Sequence, residues 1–347
     1  MRIAQVAPFY ESVPPHGYGG TERVVSYLTE ELVREGHDVT LFASGDSKTA
    51  AHLVPCATRS LRLGKAVDTL AHHILMLEHV CQRADDFDLI HFHVDYLHFP
   101  LSRRGSFNHL TTLHGRLDLP DLPLLYDEFS EMPLVSISNS QRKPLSQANW
   151  VGTVYHGLPP SSFTFREKAE KYLLFLGRIS PEKRVDRAIE IAQRAHLKLK
   201  ICAKIDRVDR YYFNKHIKHL LEHPSIEFVG EVGHEKKNEL LGGASALLFP
   251  IDWPEPFGLV MIEALACGTP VIAFPGGSVP EIIIQGRTGF IVNEIEEAVD
   301  AVHRISSIDR RKCRREFEDR FTDRHMAQDY VQIYKRQLAR GAARAAA

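Results

Sequence analysis

Trp253-Pro254-Glu255-Pro256-Phe257-Gly258-Leu259-Val260-Met261-Ile262-Glu263-Ala264-Leu265-Ala266-Cys267-Gly268-Thr269-Pro270 changes character twice along its length. Two prolines and a glycine hold its start in a loop. The apolar run from Leu259 to Cys267 is helical in type, and Gly268 followed by Pro270 ends the helix before a strand expected at residues 271–274. Loop, helix and strand in this order are one repeat of an α/β fold. The expected helix start near Gly258 and Leu259 presents backbone N–H groups and the positive end of the helix dipole, a combination suited to a phosphate, and Gly258 lacks a side chain that would block approach. Glu255 precedes that start and Glu263 lies in its second turn. At about 1.5 Å per helical residue plus an extended lead-in, the two carboxylates are expected about 10 Å apart, room for a diphosphate between two sugar rings. One glutamate would then hold a ribose and the other a hexose.

On the N-terminal side, apolar stretches of strand length at residues 3–7, 39–43 and 89–93 alternate with segments of helical period at 21–35 and 67–84. The alternation restarts after the Pro/Ser-rich stretch 157–162, with strands expected at 173–176, 198–202 and 246–249 and a helix at 185–195. Two α/β halves with parallel sheets follow, joined by a linker near 157–165. A final helix at about 325–340 carries Met326, Tyr330, Ile333, Tyr334 and Leu338 on one face, which must be buried, and the Ala/Arg tail 340–347 is expected to fray.

The totals agree with a folded two-domain protein: 347 residues, 44% hydrophobic and 25% charged, with Lys+Arg 43 against Asp+Glu 44. That balance argues against a nucleic-acid partner. No apolar run approaches the roughly 20 residues that span a bilayer, and the start, Met1 to Pro8, is too short and Pro-bounded for a signal peptide, so a cytoplasmic location is the expectation. The cysteines (Cys56, Cys81, Cys202, Cys267, Cys313) are dispersed without a C-x-x-C pair and read as small buried thiols.

The segment 253–270 closely resembles the E-x7-E motif of the retaining family 4 glycosyltransferases, the two glutamates falling on Glu255 and Glu263. Leu176-Gly177-Arg178-Ile179-Ser180-Pro181-Glu182-Lys183 is similar to the family's strand-end motif, which implies that Arg178 and Lys183 grip the donor diphosphate. Pro14-Pro15-His16-Gly17-Tyr18-Gly19-Gly20-Thr21-Glu22 is similar to the glycine loop after the first strand, with Gly19 and Gly20 near the donor phosphate. Thr112-Leu113-His114-Gly115 resembles the second strand-end motif of the N-terminal domain, which implies that His114 sits by the transferred sugar. The likeness continues through Gly276-Gly277-Ser278-Val279-Pro280-Glu281 and Gly286-Arg287-Thr288-Gly289-Phe290. Arg184 stands where the family often has a small or Asn residue, and His156-Gly157 replaces the commoner Asn-Gly; both are read as peripheral to the chemistry.

The resemblance implies the GT-B architecture: two Rossmann-like domains with parallel sheets facing a central cleft. Residues 1–157, joined by the returning helix at about 325–340, would take the acceptor. Residues 165–322 would take the nucleotide-sugar. It implies a metal-independent hexosyltransferase that retains anomeric configuration and needs no cofactor. The expected catalytic residues are Glu255, His114, Arg178 and Lys183, with Gly19, Gly20, Arg178, Lys183, Phe257, Gly258, Leu259 and Glu263 binding the donor. UDP-glucose, another UDP-hexose or GDP-mannose would supply the sugar, in that order of preference. The acceptor stays open between a small molecule, a glycan and a lipid-linked molecule. Rival readings are a nucleotide-sugar epimerase, a sugar phosphorylase, or a catalytically silent nucleotide-sugar-binding module.

Other patterns have plainer explanations. Gly17-Tyr18-Gly19 begins like a dinucleotide fingerprint, but Glu22 occupies the third glycine position and the loop is long for a tight turn. Asp86-Phe87-Asp88 mimics a D-x-D metal motif yet runs straight into a strand, so it reads as a turn. His91 and His93 share a strand face without a third ligand at convincing spacing and read as cleft-facing polar residues. The basic run at 310–315, interleaved with Asp309, Glu316, Glu318 and Asp319, reads as a solvated helix.

Overall fold

A computed structural model describes residues 1–17 and 19–345; Tyr18 of the glycine loop and residues 346–347 of the tail lie outside the described residues. The chain divides into two compact units, Met1–Gly157 with Asp323–Ala347, and Leu158–Thr322.

The first unit holds β1 (Arg2–Val6), β2 (Asp38–Ser44), β3 (His52–Ala57), β4 (Leu89–Phe92), β5 (His109–Thr112), β6 (Leu134–Ser136) and β7 (Trp150–Thr153) in one seven-stranded sheet of order β3-β2-β1-β4-β5-β6-β7. Every pairing is parallel, with Ile3 opposite Val39 on one side and Leu89 on the other. A parallel sheet is covered on both faces, so its central strands are buried throughout rather than alternating, from Ile3 to Val6 and from Leu89 to Phe92, with Gln5 and His91 as enclosed polar residues among them. Leu41 and Ala43 pack on one face with Val25 of helix Gly20–Arg34. Phe42, between them, packs on the other face with Met76, Leu77 and Val80 of helix Thr69–Gln82. Pro55 lies in β3, at the sheet edge, where its missing N–H costs no ladder bond.

Helix Asp323–Ala345 completes this unit. Met326, Ala327, Tyr330, Val331, Ile333 and Tyr334 are buried at three- and four-residue steps. The helix runs on through Ala345, past the point where fraying was expected, because Ala and Arg are strong helix formers.

The second unit holds β8 (Tyr172–Arg178), β9 (Lys198–Lys204), β10 (Ile226–Phe228), β11 (Ala246–Phe249), β12 (Val271–Ala273) and β13 (Gly289–Ile291) in a parallel sheet of order β10-β9-β8-β11-β12-β13. Leu158 and Thr322, its first and last residues, lie side by side in an isolated parallel bridge. Both units are α/β and Rossmann-like. In each, strand order reverses beside the first strand, between β1 and β4 and between β8 and β11. Ligands of such sheets bind beyond the carboxyl ends of the strands at that reversal.

The helix Arg310–Arg320 corrects the reading of its basic run as wholly solvated. Arg310 donates to the carbonyls of Arg166, Gly242 and Ala244, and Arg314 to those of Phe163 and Ala266. Gly242 and Ala266 stand in the last turns of helices His234–Gly243 and Leu259–Ala266, so these arginines cap orphan carbonyls at the negative ends of two helix dipoles. Arg311, Lys312 and Arg315 do face solvent. Among the described residues, no helix is long and apolar enough to cross a membrane.

Candidate active site

The loop between β11 and helix Leu259–Ala266 leaves the carboxyl end of β11, and Arg178 ends the neighbouring β8. Gly258 caps the helix in the left-handed conformation, φ +80°, and a Cβ there would lie 2.7 Å from Met261 Cε. Behind the loop, Gly277 (φ +62°) leaves so little room that a Cβ would run into the Glu255 backbone, while Ser278 donates its N–H to the Glu255 carbonyl (2.9 Å) and its hydroxyl to the Phe257 carbonyl (2.7 Å). The Gly-Gly-Ser stretch after β12 thereby fixes the course of the Glu255 loop.

Both glutamates are nearly buried, Glu255 8% and Glu263 4% exposed, and each is paired with a lysine. Lys183 Nζ meets Glu255 Oε2, which also accepts from the Trp253 indole at 3.1 Å, and the same ammonium lies 4.9 Å from the centre of the Trp253 ring. Lys237 Nζ meets Glu263 Oε1 at 2.5 Å. A buried carboxylate needs such a partner, since desolvating an uncompensated charge is costly. Arg178 lies among carboxylates of its own unit, 2.6 Å from Glu182, 3.7 Å from Asp206 and 3.6 Å from Asp209. The Phe257 ring is a core group packed edge-on against Phe321, which leaves its backbone as the part available to a ligand.

Arg184, the residue after Lys183, adopts the left-handed conformation at φ +52°, which explains why a small residue or Asn suits the position. Its guanidinium pairs with Asp186 (2.8 Å) and Asp252 (2.9 Å).

In the first unit, Gly19 and Gly20 stand at the start of helix Gly20–Arg34, beyond β1; a Cβ on Gly19 would meet Pro15 Cβ at 2.8 Å. Among the described residues, no side chain caps this helix or helix Leu259–Ala266. His114 follows β5, and its Nε2 lies 2.9 Å from Nδ1 of His93, which follows β4. His91 and His93 do share a face, with ring centres 4.0 Å apart, but both are fully enclosed and hydrogen-bonded inside the unit instead of lining an open surface. His156, read from sequence as peripheral, stacks on His114 with ring centres 5.3 Å apart and 17° between planes. Burial holds His91, His93 and His156 well below the ordinary imidazole range and pushes His114 down to about 3, because a charged ring would lose its hydration.

The structure thus gathers Arg178, Lys183, Glu255, Gly258, Leu259 and Glu263 at the reversal point of one sheet and Gly19, Gly20 and His114 at that of the other. Sequence reasoning missed Lys237, read His93 only as a cleft-facing polar residue and read His156 as peripheral. Lys237 sits four residues into helix His234–Gly243 with no motif around it, whereas His93 and His156 each follow a strand and were detectable by that position. Asp86 and Asp88 form a turn: Asp86 pairs with Arg83 and Asp88 with Arg2, both at 2.9 Å, at the amino ends of the strands. Among the described residues, no three His, Cys, Asp or Glu side chains are grouped as a metal site.

A model of the family described as Glycosyltransferase Family 4 matches residues 18–175, and a model described as Glycosyl transferases group 1 matches residues 162–321. The O-antigen chain mannosyltransferase C of Escherichia coli is 24% identical, with 96% of this chain and 98% of that protein covered. Among solved structures, sucrose-phosphate synthase from Thermosynechococcus elongatus superposes with a TM-score of 0.81 at 19% identity, covering 98% of this chain and 99% of its own. Anabaena HepE, solved in complex with UDP-glucose, superposes with a TM-score of 0.73 at 16% identity, covering 96% and 98%. Two consecutive family models from residue 18 to residue 321, on two Rossmann-like units whose structural neighbours are GT-B enzymes, mean that the chain belongs to the family 4 type of group 1 glycosyltransferases, on the GT-B architecture.

Proposed function

We propose that the chain is a cytoplasmic, retaining, metal-independent hexosyltransferase whose second unit binds a nucleotide-sugar and whose first unit receives the acceptor. The observation that carries this reading is the pair of buried glutamates, each held by its own lysine, on either side of a helix start at the carboxyl end of β11. Glu263 would accept hydrogen bonds from the ribose hydroxyls and Glu255 from the transferred hexose. Gly19, Gly20, Gly258, Leu259 and the Phe257 backbone would approach the phosphates, with Arg178 and Lys183 at the diphosphate. Breaking the sugar–phosphate bond builds positive charge on the ring and negative charge on the departing diphosphate. Fixed cations and a helix N-terminus beside that diphosphate stabilise the transition state more than the bound substrate. His114 would stand beside the transferred sugar, and attack would come from the face the leaving group departs, within an ion-pair-like state.

UDP-glucose or another UDP-hexose is the favoured donor, supported by HepE binding UDP-glucose on the same fold; GDP-mannose is the alternative, supported by the mannosyltransferase relative. Thermal shifts with UDP, GDP and ADP test the base, since a ligand at 100 times its Kd stabilises by about 2.7 kcal/mol. Transfer assays with the matching hexoses, with the product anomer read by NMR, test the reaction. Inversion would overturn retention, and nucleotide binding without transfer or hydrolysis would favour a silent binding module.

A further inference from the structure

Inside the first unit, hydrogen bonds run unbroken from the C-terminal helix to His114. The Gln5 amide nitrogen donates to the Tyr334 hydroxyl (3.2 Å), and Gln5 Oε1 lies 2.8 Å from His93 Nε2. His93 Nδ1 lies 2.9 Å from His114 Nε2. A branch from the same Tyr334 hydroxyl passes through His91 (2.7 Å) and Thr112 (2.7 Å) to Tyr330 (2.9 Å). Gln5, His91 and His93 are fully enclosed, with exposures of 0%, 0% and 3%.

Each bond needs one hydrogen, and that requirement orders the chain. With its nitrogen turned to Tyr334, Gln5 offers His93 only an oxygen, so His93 Nε2 must carry a hydrogen. An enclosed, neutral His93 then has a lone pair at Nδ1, and His114 Nε2 must donate into it. His114, also neutral, is left with a bare Nδ1, which is covered and has no hydrogen-bond partner among the described residues. A covered acceptor without a donor is unfavourable, and a ligand hydroxyl satisfies it.

We infer that Gln5 and Tyr334, acting through His93, are positioning residues that hold His114 as its Nε2–H tautomer, so that Nδ1 accepts a hydrogen bond from a hydroxyl of the transferred sugar. The sugar contact rests on the function proposed above; the tautomer does not. It makes His114 selective for a ligand group that donates, and gives the C-terminal helix a part in the sugar site without touching the sugar.

Nitrogen NMR of the full-length protein labelled at histidine reads the tautomer directly, His114 being assigned by the signal lost in His114→Asn. At neutral pH, protonated Nε2 and bare Nδ1 are expected; protonated Nδ1 overturns the inference with no variant needed. In Gln5→Met, which removes the amide, and in Tyr334→Phe, which leaves it unoriented, the His114 signature is expected to average between tautomers. Turnover is expected to fall about tenfold, the worth of one hydrogen bond, while UDP affinity stays within about twofold. An unchanged His114 signature in both variants overturns the relay. Titration with UDP-glucose, or with GDP-mannose if GDP is the nucleotide that binds, is expected to move the Nδ1 resonance. A bound donor that leaves it unmoved overturns the sugar contact, and with it the placement of His114, while the relay stands.

Discussion

The two units repeat one architecture, a parallel sheet reversing beside its first strand, yet they bury opposite chemistry at the carboxyl ends of those strands. The second unit gathers charge: Lys183 on Glu255, Lys237 on Glu263, and Arg178 among Glu182, Asp206 and Asp209. The first gathers neutral hydrogen-bonding groups: His91, His93, His114 and His156, with Gln5, Thr112, Tyr330 and Tyr334. Among the described residues, the buried polar groups of the second unit include no histidine. Salt-bridged cations can exchange a carboxylate for a phosphate at little cost in desolvation, so the charged site suits a polyanion. Neutral imidazoles are suited to hydroxyls, which donate and accept without net charge.

The sharpest way to break this contrast is to remove a cation. Arg178→Ala and Lys183→Ala are expected to lower turnover about 10²–10³-fold, the usual cost of losing a preorganised stabilising group. Unaltered kcat/KM in both variants would end the case for a diphosphate there. The next effect separates the glutamates. Glu263→Ala is expected to weaken free nucleotide by about 1.5–3 kcal/mol, or about ten- to a hundredfold by calorimetry. Glu255→Ala is expected to leave nucleotide binding nearly intact while turnover falls; equal losses would refute the division between ribose and hexose. Because each change strands a lysine, thermal denaturation of each variant without ligand checks that stability losses are not mistaken for binding losses.

A smaller effect distinguishes the units by acid. The enclosed histidines of the first unit stay neutral when folded but titrate near 6.5 when unfolded, so below that pH the unfolded chain takes up protons that the folded unit refuses. Stability is therefore lost as pH falls from about 6.5 towards the folded values, by about 1.4 kcal/mol per pH unit for each histidine that stays neutral. The chain has one tryptophan in each unit, Trp150 and Trp253. Fluorescence-monitored denaturation of Trp253→Phe and Trp150→Phe at pH 7 and pH 5 is expected to find the first unit losing more stability on acidification. A larger loss in the second unit would contradict the burial pattern. Smallest of all, EDTA is expected to leave activity unchanged; loss restored by manganese or magnesium would transfer the diphosphate's neutralisation from Arg178 and Lys183 to an ion.

The alternation of apolar strands and helical periods made β1, β2 and β4 of one sheet and β8, β9, β11 and β12 of the other legible, because strands covered on two faces tend to be apolar runs, whereas short strands that carry polar residues, such as β5 (His109–Thr112) and β10 (Ile226–Phe228), escape that reading. Glu255, Gly258 and Glu263 were legible for a similar reason: loop, cap and helix lie within one short segment. Their partners were not. Lys237 stands 26 residues from Glu263, and Tyr334 stands 243 residues from His91, so nothing local ties either pair together. Arg310 and Arg314 were misread for the opposite reason. Their neighbours in sequence are charged and solvated, but the carbonyls they cap come from helix ends elsewhere in the unit.

The first unit is not one continuous piece of chain. Its sheet comes from the first 157 residues, while the helix that supplies Tyr330 and Tyr334 begins at Asp323, after the whole of the second unit. A ribosome therefore finishes the second unit, which is contiguous, before it has made the last helix of the first. Until then Gln5, His91 and Thr112 have no Tyr330 or Tyr334 hydroxyl to meet, and the nascent sheet carries an uncovered polar interior. The order of synthesis completes Leu158–Thr322 before the first unit has its last helix, and a chain cut short before Asp323 would lack the Tyr330 and Tyr334 ends of the histidine network while keeping every residue of its charged site.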